Sequence, residues 1–308
     1  MLISYSLKRA IGSFVASLLV ATTLWAIPAY SEDAAKPALW KLSDADSDVW
    51  LFGTVHILDP NMSWHSEAVN AAFMEAGTLI LEAPVLDTPP AEMQRIVMQH
   101  ALNPTGTTLS KLLSETGNKK LIEVLVSLGI PEAQAIATKQ QFEPLRPWLV
   151  GIQLAAMQAQ QQGGDPSAGV DTVLEKAAKD AGKSMQYFET VEQQISFFAD
   201  LSQEKETQML EESLVQLLEE PDMLKKIVND WLAGNASSVG DTLKSALDDP
   251  EIYAVLLTNR NKNWAGQIKT IMDGSGQYFI AVGTGHLVGE GSVQEYLAKL
   301  GLNAARVQ

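Results

Sequence analysis

An α/β fold built on a central, mostly parallel sheet is what this 308-residue sequence predicts, and three observations carry the prediction. Two apolar runs rich in β-branched and aromatic residues, 49–52 and 278–282, read as buried strands. Strand-like and helix-like stretches alternate at two places, the order that βαβ units and parallel pairing require. Between them lie two tracts with helical periodicity alone, about 89–162 and 191–271, so the sheet is expected to carry two helical insertions as well as flanking helices.

The elements follow in order. Leu39-Trp40-Lys41-Leu42 and Val49-Trp50-Leu51-Phe52 flank a cluster of Asp and Ser residues at 43–48, and such a pair of short apolar runs makes an N-terminal hairpin. The cluster lacks the glycine and the bidentate glutamate of a calcium loop, so it reads as a solvated turn. Residues 66–74 repeat apolar side chains at helical spacing, Gly77 closes that helix, and Thr78-Leu79-Ile80-Leu81-Glu82 is a strand ending in an acid. Strand, helix, strand in that order sets the two strands parallel. Residues 92–100, 108–114, 119–128 and 149–162 are the helices expected in the first insertion, which fits a cap over the sheet edge or a separate helical domain. A helix at 172–180 and a strand at 184–190 follow, the strand closing on Glu189. The second insertion comprises 191–218, 222–233, 240–247 and a long helix at 251–271 carrying Arg260 and Trp264. Gly274-Ser275-Gly276 turns the chain into the last strand, and Ser292-Val293-Gln294-Glu295 reads as a capping box for a final helix.

The first 31 residues have a basic start, an apolar middle and a small-residue exit at Pro28-Ala29-Tyr30-Ser31, the three parts of a secretory signal peptide. Cleavage there makes 32–308 one mature domain and places it in the periplasm or outside the cell. A retained membrane anchor is the competing reading, since the apolar stretch can just span a bilayer. The chain has no cysteine, which excludes disulfides and thiolate metal sites. Two of the 22 basic residues lie in the leader, leaving 20 bases against 37 acids, a formal charge of −17. Such a chain repels phosphate backbones, so nucleic acid is excluded as a partner.

Each of the two long strands is followed by Gly-x-x-His: Gly53-Thr54-Val55-His56 and Gly283-Thr284-Gly285-His286. With four histidines and 21 glycines the pattern would arise by chance roughly 0.3 times. His56, Glu82, Glu189 and His286 all fall at strand C-termini, the edge of a parallel sheet where ligands bind. Two imidazoles and one or two carboxylates suit a divalent transition metal and leave positions open for substrate, and hydrolysis is the natural chemistry of such a site. Each residue also has a structural reading. Glu82 is placed to pair with Arg95, Glu189 to cap the helix after it, and Arg260 to be a solvated charge. His65 and His100 lack a strand context and read as surface residues. No Walker lysine, Gly-x-Ser-x-Gly elbow or His-Glu-x-x-His helix is present.

Taken together, the segments 51–56, 81–82, Pro147-Trp148, Gly169-Val170-Asp171, 188–190 with Gln194, Arg260-Asn261 with Trp264, and 281–287 resemble the TraB/GumN family, which includes the Tiki proteins. The resemblance covers nearly all of the chain after the leader. It implies a fold shared with erythromycin-esterase-like and haem-binding ChaN-like proteins, and a metal-dependent peptidase using manganese or cobalt, with zinc as an alternative. The expectation is an exported hydrolase in which His56, Glu82 and His286 hold the metal and Glu189 is a second ligand or the general base. Arg260 would bind a substrate carboxylate or an oxyanion, with Asp171 beside it on the substrate. The substrate would be a peptide or small molecule, with membrane contact only through an uncleaved leader. The alternatives are a non-catalytic peptide-, haem- or metal-binding protein of the cell envelope, and an accessory to polysaccharide export.

Overall fold

The computed structural model describes residues 35–308. The leader reading falls on residues outside that range. The strands are β1 (Leu39–Ser43), β2 (Ser47–Thr54), β3 (Thr78–Leu81), β4 (Ser184–Tyr187), β5 (Gly276–Gly283) and β6 (Ala305–Arg306). They form one mixed sheet in the order β4-β3-β5-β2-β1-β6. β2 and β5 run parallel, as do β5 and β3 and β3 and β4, while β1 is antiparallel to β2 and β6. The expected hairpin is therefore present. In its turn the Asp44 carboxylate accepts from the N–H groups of Asp46 and Ser47, a local Asx arrangement of the kind that suits a solvated turn.

Two details differ from the sequence reading. β2 and β3 are parallel as expected, but β5 lies between them, so the two strands that deliver histidines are direct neighbours. β6 was not foreseen because two residues, both exposed, leave no period to read.

Alternation along the central strands explains why both faces of the sheet are covered. Trp50, Phe52, Leu79, Phe279 and Ala281 pack under the helices Glu67–Glu75, Val170–Asp180 and Met223–Leu232. Val49, Leu51, Ile80, Ile280 and Val282 pack under Asn259–Met272 and Val293–Lys299 on the other side. Trp231, 3% exposed, donates its Nε1–H to the carbonyl of Gly53 at 2.8 Å. Trp231→Phe leaves that buried carbonyl short of a partner, and urea unfolding should register a loss of about 1–3 kcal/mol.

The helical tracts share a core of their own. Leu121, Val124 and Leu125 from Glu115–Ser127 and Val150 and Leu154 from Pro147–Gln161 pack against Leu210 and Leu214 from Gln203–Glu219. Arg146 ties the two tracts by donating to Glu206 and to the carbonyl of Ala199. A helix at Glu132–Phe142 was missed because its alanine- and glutamine-rich face buries only Ala135 and Phe142, too few to set a period. The stretch read as one helix from 191 is two, Val191–Ala199 and Gln203–Glu219, restarted by Ser202, whose side chain accepts from the N–H of Lys205. The capping box expected at Ser292 is not formed. Glu295 instead accepts from the N–H of Gly291, and a true capping box sits at Thr190 and Gln193. Among the described residues no helix is long and apolar enough to cross a membrane.

Candidate functional site

The parallel register brings the four strand ends to one edge. Thr54 pairs with Gly283, so His56 and His286 follow the same rung, His286 on a single 3-10 turn at Thr284–His286. Beyond β3 and β4 the pairing continues irregularly: Phe188 N–H donates to the Leu81 carbonyl and Glu189 N–H to that of Glu82, which sets the two glutamates side by side. Val170 N–H donates to the Val55 carbonyl, docking the start of Val170–Asp180 against the first Gly-x-x-His segment. A Cβ on Gly169 would stand 2.1 Å from the His56 carbonyl oxygen, which is why only glycine fits there.

The side chains meet around the bare Cα of Gly283. A Cβ placed there would lie 3.2 Å from Glu82 Oε1, 3.4 Å from His56 Nε2 and 3.7 Å from His286 Cδ2. His56 Nδ1 lies 2.7 Å from Asp171 Oδ2, and the other Asp171 oxygen accepts from the Thr54 hydroxyl at 2.6 Å. His286 Nδ1 lies 2.5 Å from the amide oxygen of Asn261, whose own NH2 donates to the Gly291 carbonyl. Because each Nδ1 faces an acceptor, hydrogen-bond geometry assigns it the proton, leaving each Nε2 turned toward the site.

Electrostatics separate the two rings. The Asp171 carboxylate raises the His56 imidazole to about 9, against the effect of desolvation, although 65% of its side-chain surface is open to the cleft. Burial pushes His286 down to about 3, so it is neutral at pH 7. Burial alone would raise Glu82; the charges of His286 when protonated, of Arg260 and of His56, with the Gly283 N–H, hold it instead at about 2. At pH 7, with His286 uncharged, that work falls to Arg260, His56 and the amide.

Arg260 is the hub. Its Nε and Nη2 grip Glu189 in a two-pronged pair at 3.0 and 2.8 Å, Nη2 also reaches Glu82 Oε2 at 2.6 Å, and Nη1 contacts the Leu256 carbonyl and His286 Nε2, both at 3.1 Å. All five N–H groups are thereby used, and the guanidinium also lies over the rings of Trp264 and Phe197. Its expected contact with substrate requires one of these bonds to be exchanged. Glu189, 6% exposed, receives Arg260 and the Trp264 indole N–H on Oε1, and Arg260 and Gln194 on Oε2. No lone pair of Glu189 is left for a metal or a proton as the side chains stand. Asp171, expected on the substrate, is committed to His56 and Thr54.

Gln194, Asn261 and Thr54 also take part, and sequence reasoning gave them no role. For Asn261 a signal existed: it shares the 261, 264, 265, 268 stripe with Trp264, Ala265 and Ile268, all buried, so a polar residue there had to find a partner. His65 stacks on Trp64 away from these residues, consistent with its surface reading.

Among the described residues no group of three or more His, Asp or Glu side chains is drawn in to the spacing of a metal-binding cluster. The donor chemistry nevertheless fits a divalent ion. Two imidazoles hold their Nδ1–H on an oxygen, the hydrogen bond by which metal-ligating histidines are oriented, and a carboxylate oxygen faces the same point. In this arrangement Arg260 Nη1 engages the Nε2 of His286 that an ion would need.

The model of the TraB/PrgY/gumN family matches residues 38–306, which include every residue of this cluster. The chain belongs to the TraB/PrgY/gumN family. The resemblance read from the two Gly-x-x-His segments and their companions is thus established at the level of family. The uncharacterized protein YbaP of Escherichia coli strain K12 is 27% identical over 249 residues, covering 80% of this chain and 86% of YbaP. YbaP of Shigella flexneri is similar to the same extent. No solved structure matches this TraB/PrgY/gumN chain.

Proposed function

We propose that this chain is an exported, divalent-metal-dependent hydrolase, acting on peptides or related amides. One observation carries the reading: His56 Nε2, Glu82 Oε1 and the His286 ring converge on the missing side chain of Gly283. In the proposal His56, Glu82 and His286 hold the ion, with manganese or cobalt following from the family resemblance. When bound, the ion supplies Lewis acidity to a scissile carbonyl. Charge supports a dication. At pH 7 Glu82, Glu189 and Asp171 against Arg260 and the protonated His56 sum to a formal −1, and to −2 once His56 gives up its proton to bind.

The other roles are revised from the sequence expectation. Asp171 and Asn261 orient the two rings, and Glu189 holds Arg260 and Trp264 in place instead of serving as base or ligand. Arg260 balances the paired glutamates. The peptide substrate rests on the family resemblance, and export rests on the leader-like composition of residues 1–31.

The test is to purify the full chain without chelators, measure its manganese, cobalt and zinc content and affinities, and follow peptide cleavage before and after chelation. Stoichiometric binding, with cleavage that stops on chelation and returns with one metal, is the expected result. A protein that binds none of the three ions overturns the proposal. Asp171→Asn removes the charge behind His56 while keeping its shape, and ion affinity should fall about tenfold with the fold intact.

A second reading, a non-catalytic peptide-, haem- or metal-binding protein of the cell envelope, is favoured by the closed bonding of Arg260. Ligand capture with no turnover under any metal separates it from the first.

A further inference from the structure

We propose that the wall formed by Ile57, Val85, Leu86 and Pro166 is a subsite for an apolar side chain, so that the favoured substrate carries an aliphatic residue beside the bond that is broken. This rests on the hydrolytic reading above, because proximity to that site is what makes the wall a substrate subsite. The wall belongs to a cleft of about 360 Å³ that also contains His56, Glu82 and Asp171, within the usual range for small-molecule sites.

The placement follows from the chain. Ile57 directly follows His56, and Val85 and Leu86 lie on the turn that leaves Glu82. Val85 and Leu86 remain 50% and 49% exposed, large apolar side chains held open at the mouth of a site. The turn that carries them is fixed. Within it Val85 N–H donates to the Ala83 carbonyl at 2.9 Å, and the Thr88 N–H and hydroxyl both donate to that of Pro84. From outside, Lys179 Nζ and the Tyr187 hydroxyl each donate to a different oxygen of Asp87, at 2.5 and 2.7 Å.

Charge decides which residue fits. Among the described residues at the cleft, Lys179 is spent on Asp87 and Glu175 and His56 is paired with Asp171, so each cation there already has its carboxylate. Such a side chain would also face Glu175, Asp171 and Glu82, all lining the same space. A basic side chain finds those three carboxylates already bonded to Lys179, to His56 and Thr54, and to Arg260. An aliphatic group loses no charge solvation and covers apolar surface.

The test is a chemical-shift titration of the ¹⁵N-labelled full chain, in chelator, with N-acetyl-leucine amide, N-acetyl-aspartate amide and N-acetyl-lysine amide. Without metal and without cleavage, its outcome is independent of the metal experiments above. The leucine compound should shift the amides of Ile57, Ala83, Val85 and Leu86 saturably and bind at least about tenfold more tightly than the other two. Leu86→Asp should erase the preference, and Val85→Ala with Leu86→Ala should weaken the leucine compound about tenfold. Both residues are half exposed, so the variants should fold, as circular dichroism will show. Equal affinity for the three compounds, tighter binding of a charged one, absence of saturable shifts, or a preference that survives both variants overturns the proposal.

Discussion

Arg260→Ala should lower the unfolding free energy by about 3–5 kcal/mol, read as a shifted urea midpoint with an unchanged slope. The reason lies in what it strands. Glu82 and Glu189 are 12% and 3% exposed at the side chain, and one guanidinium nitrogen, Nη2, contacts both. Without it two carboxylates face each other in a place that water hardly reaches, and one of them must take up a proton or the pocket must open. His286 Nε2 and the Leu256 carbonyl lose their donor in the same step. Arg260→Lys keeps the charge but not the fork that grips Glu189 at two points, so it should recover only part of the loss. Adding Glu189→Gln to Arg260→Ala should also recover part, because it removes one of the two like charges. A loss below about 1 kcal/mol for Arg260→Ala would mean that the buried pairs hold nothing together.

What the sequence revealed and what it hid follow from range. The β2 and β5 strands were legible because the apolar runs 49–52 and 278–282, each followed by Gly-x-x-His, carry both composition and punctuation. The convergence of His56, Glu82, Glu189 and His286 on one edge followed from strand order alone, since parallel strands all present the same end. Strand adjacency did not follow. Nothing local in Thr78–Leu81 says that a segment 200 residues later will insert beside it. The use made of each polar atom was hidden for the same reason. Glu189 looked like a free acid at a strand end, but its oxygens are taken by Arg260 and Trp264, 71 and 75 residues away in the chain. Arg260 was expected at the site, on substrate or an oxyanion, with a solvated charge on a polar helix face as its structural alternative, and Asn261 beside it was given no role. The helix turns through a wide π segment at Ala254–Thr258 just before them, and the pair meets the site.

The sharpest separation of site from fold should come from Gly283→Ala, for which ion affinity is expected to drop at least about a hundredfold while stability changes by less than about 1 kcal/mol. Gly283 has φ −48° and ψ 133°, a backbone conformation open to any residue, so alanine imposes no strain. No atom lies closer than 3.2 Å to the added methyl, and the nearest is a carboxylate oxygen that can give by a few tenths of an ångström. That methyl nevertheless fills the point between Glu82 Oε1, His56 Nε2 and the His286 ring, and metal–nitrogen bonds of about 2.0–2.1 Å leave no room for both. The matching glycine of the first motif gives the opposite result. A Cβ on Gly53 would meet Thr284 Oγ1 at 2.9 Å and the Thr284 Cα at 3.0 Å, so Gly53→Ala should disturb the β2–β5 contact and lower stability. Calorimetric titration with manganese and thermal melts on the two variants read both quantities. If Gly283→Ala binds the ion as the parent does, the three donors are not its ligands, and the two histidines meet for a structural reason alone.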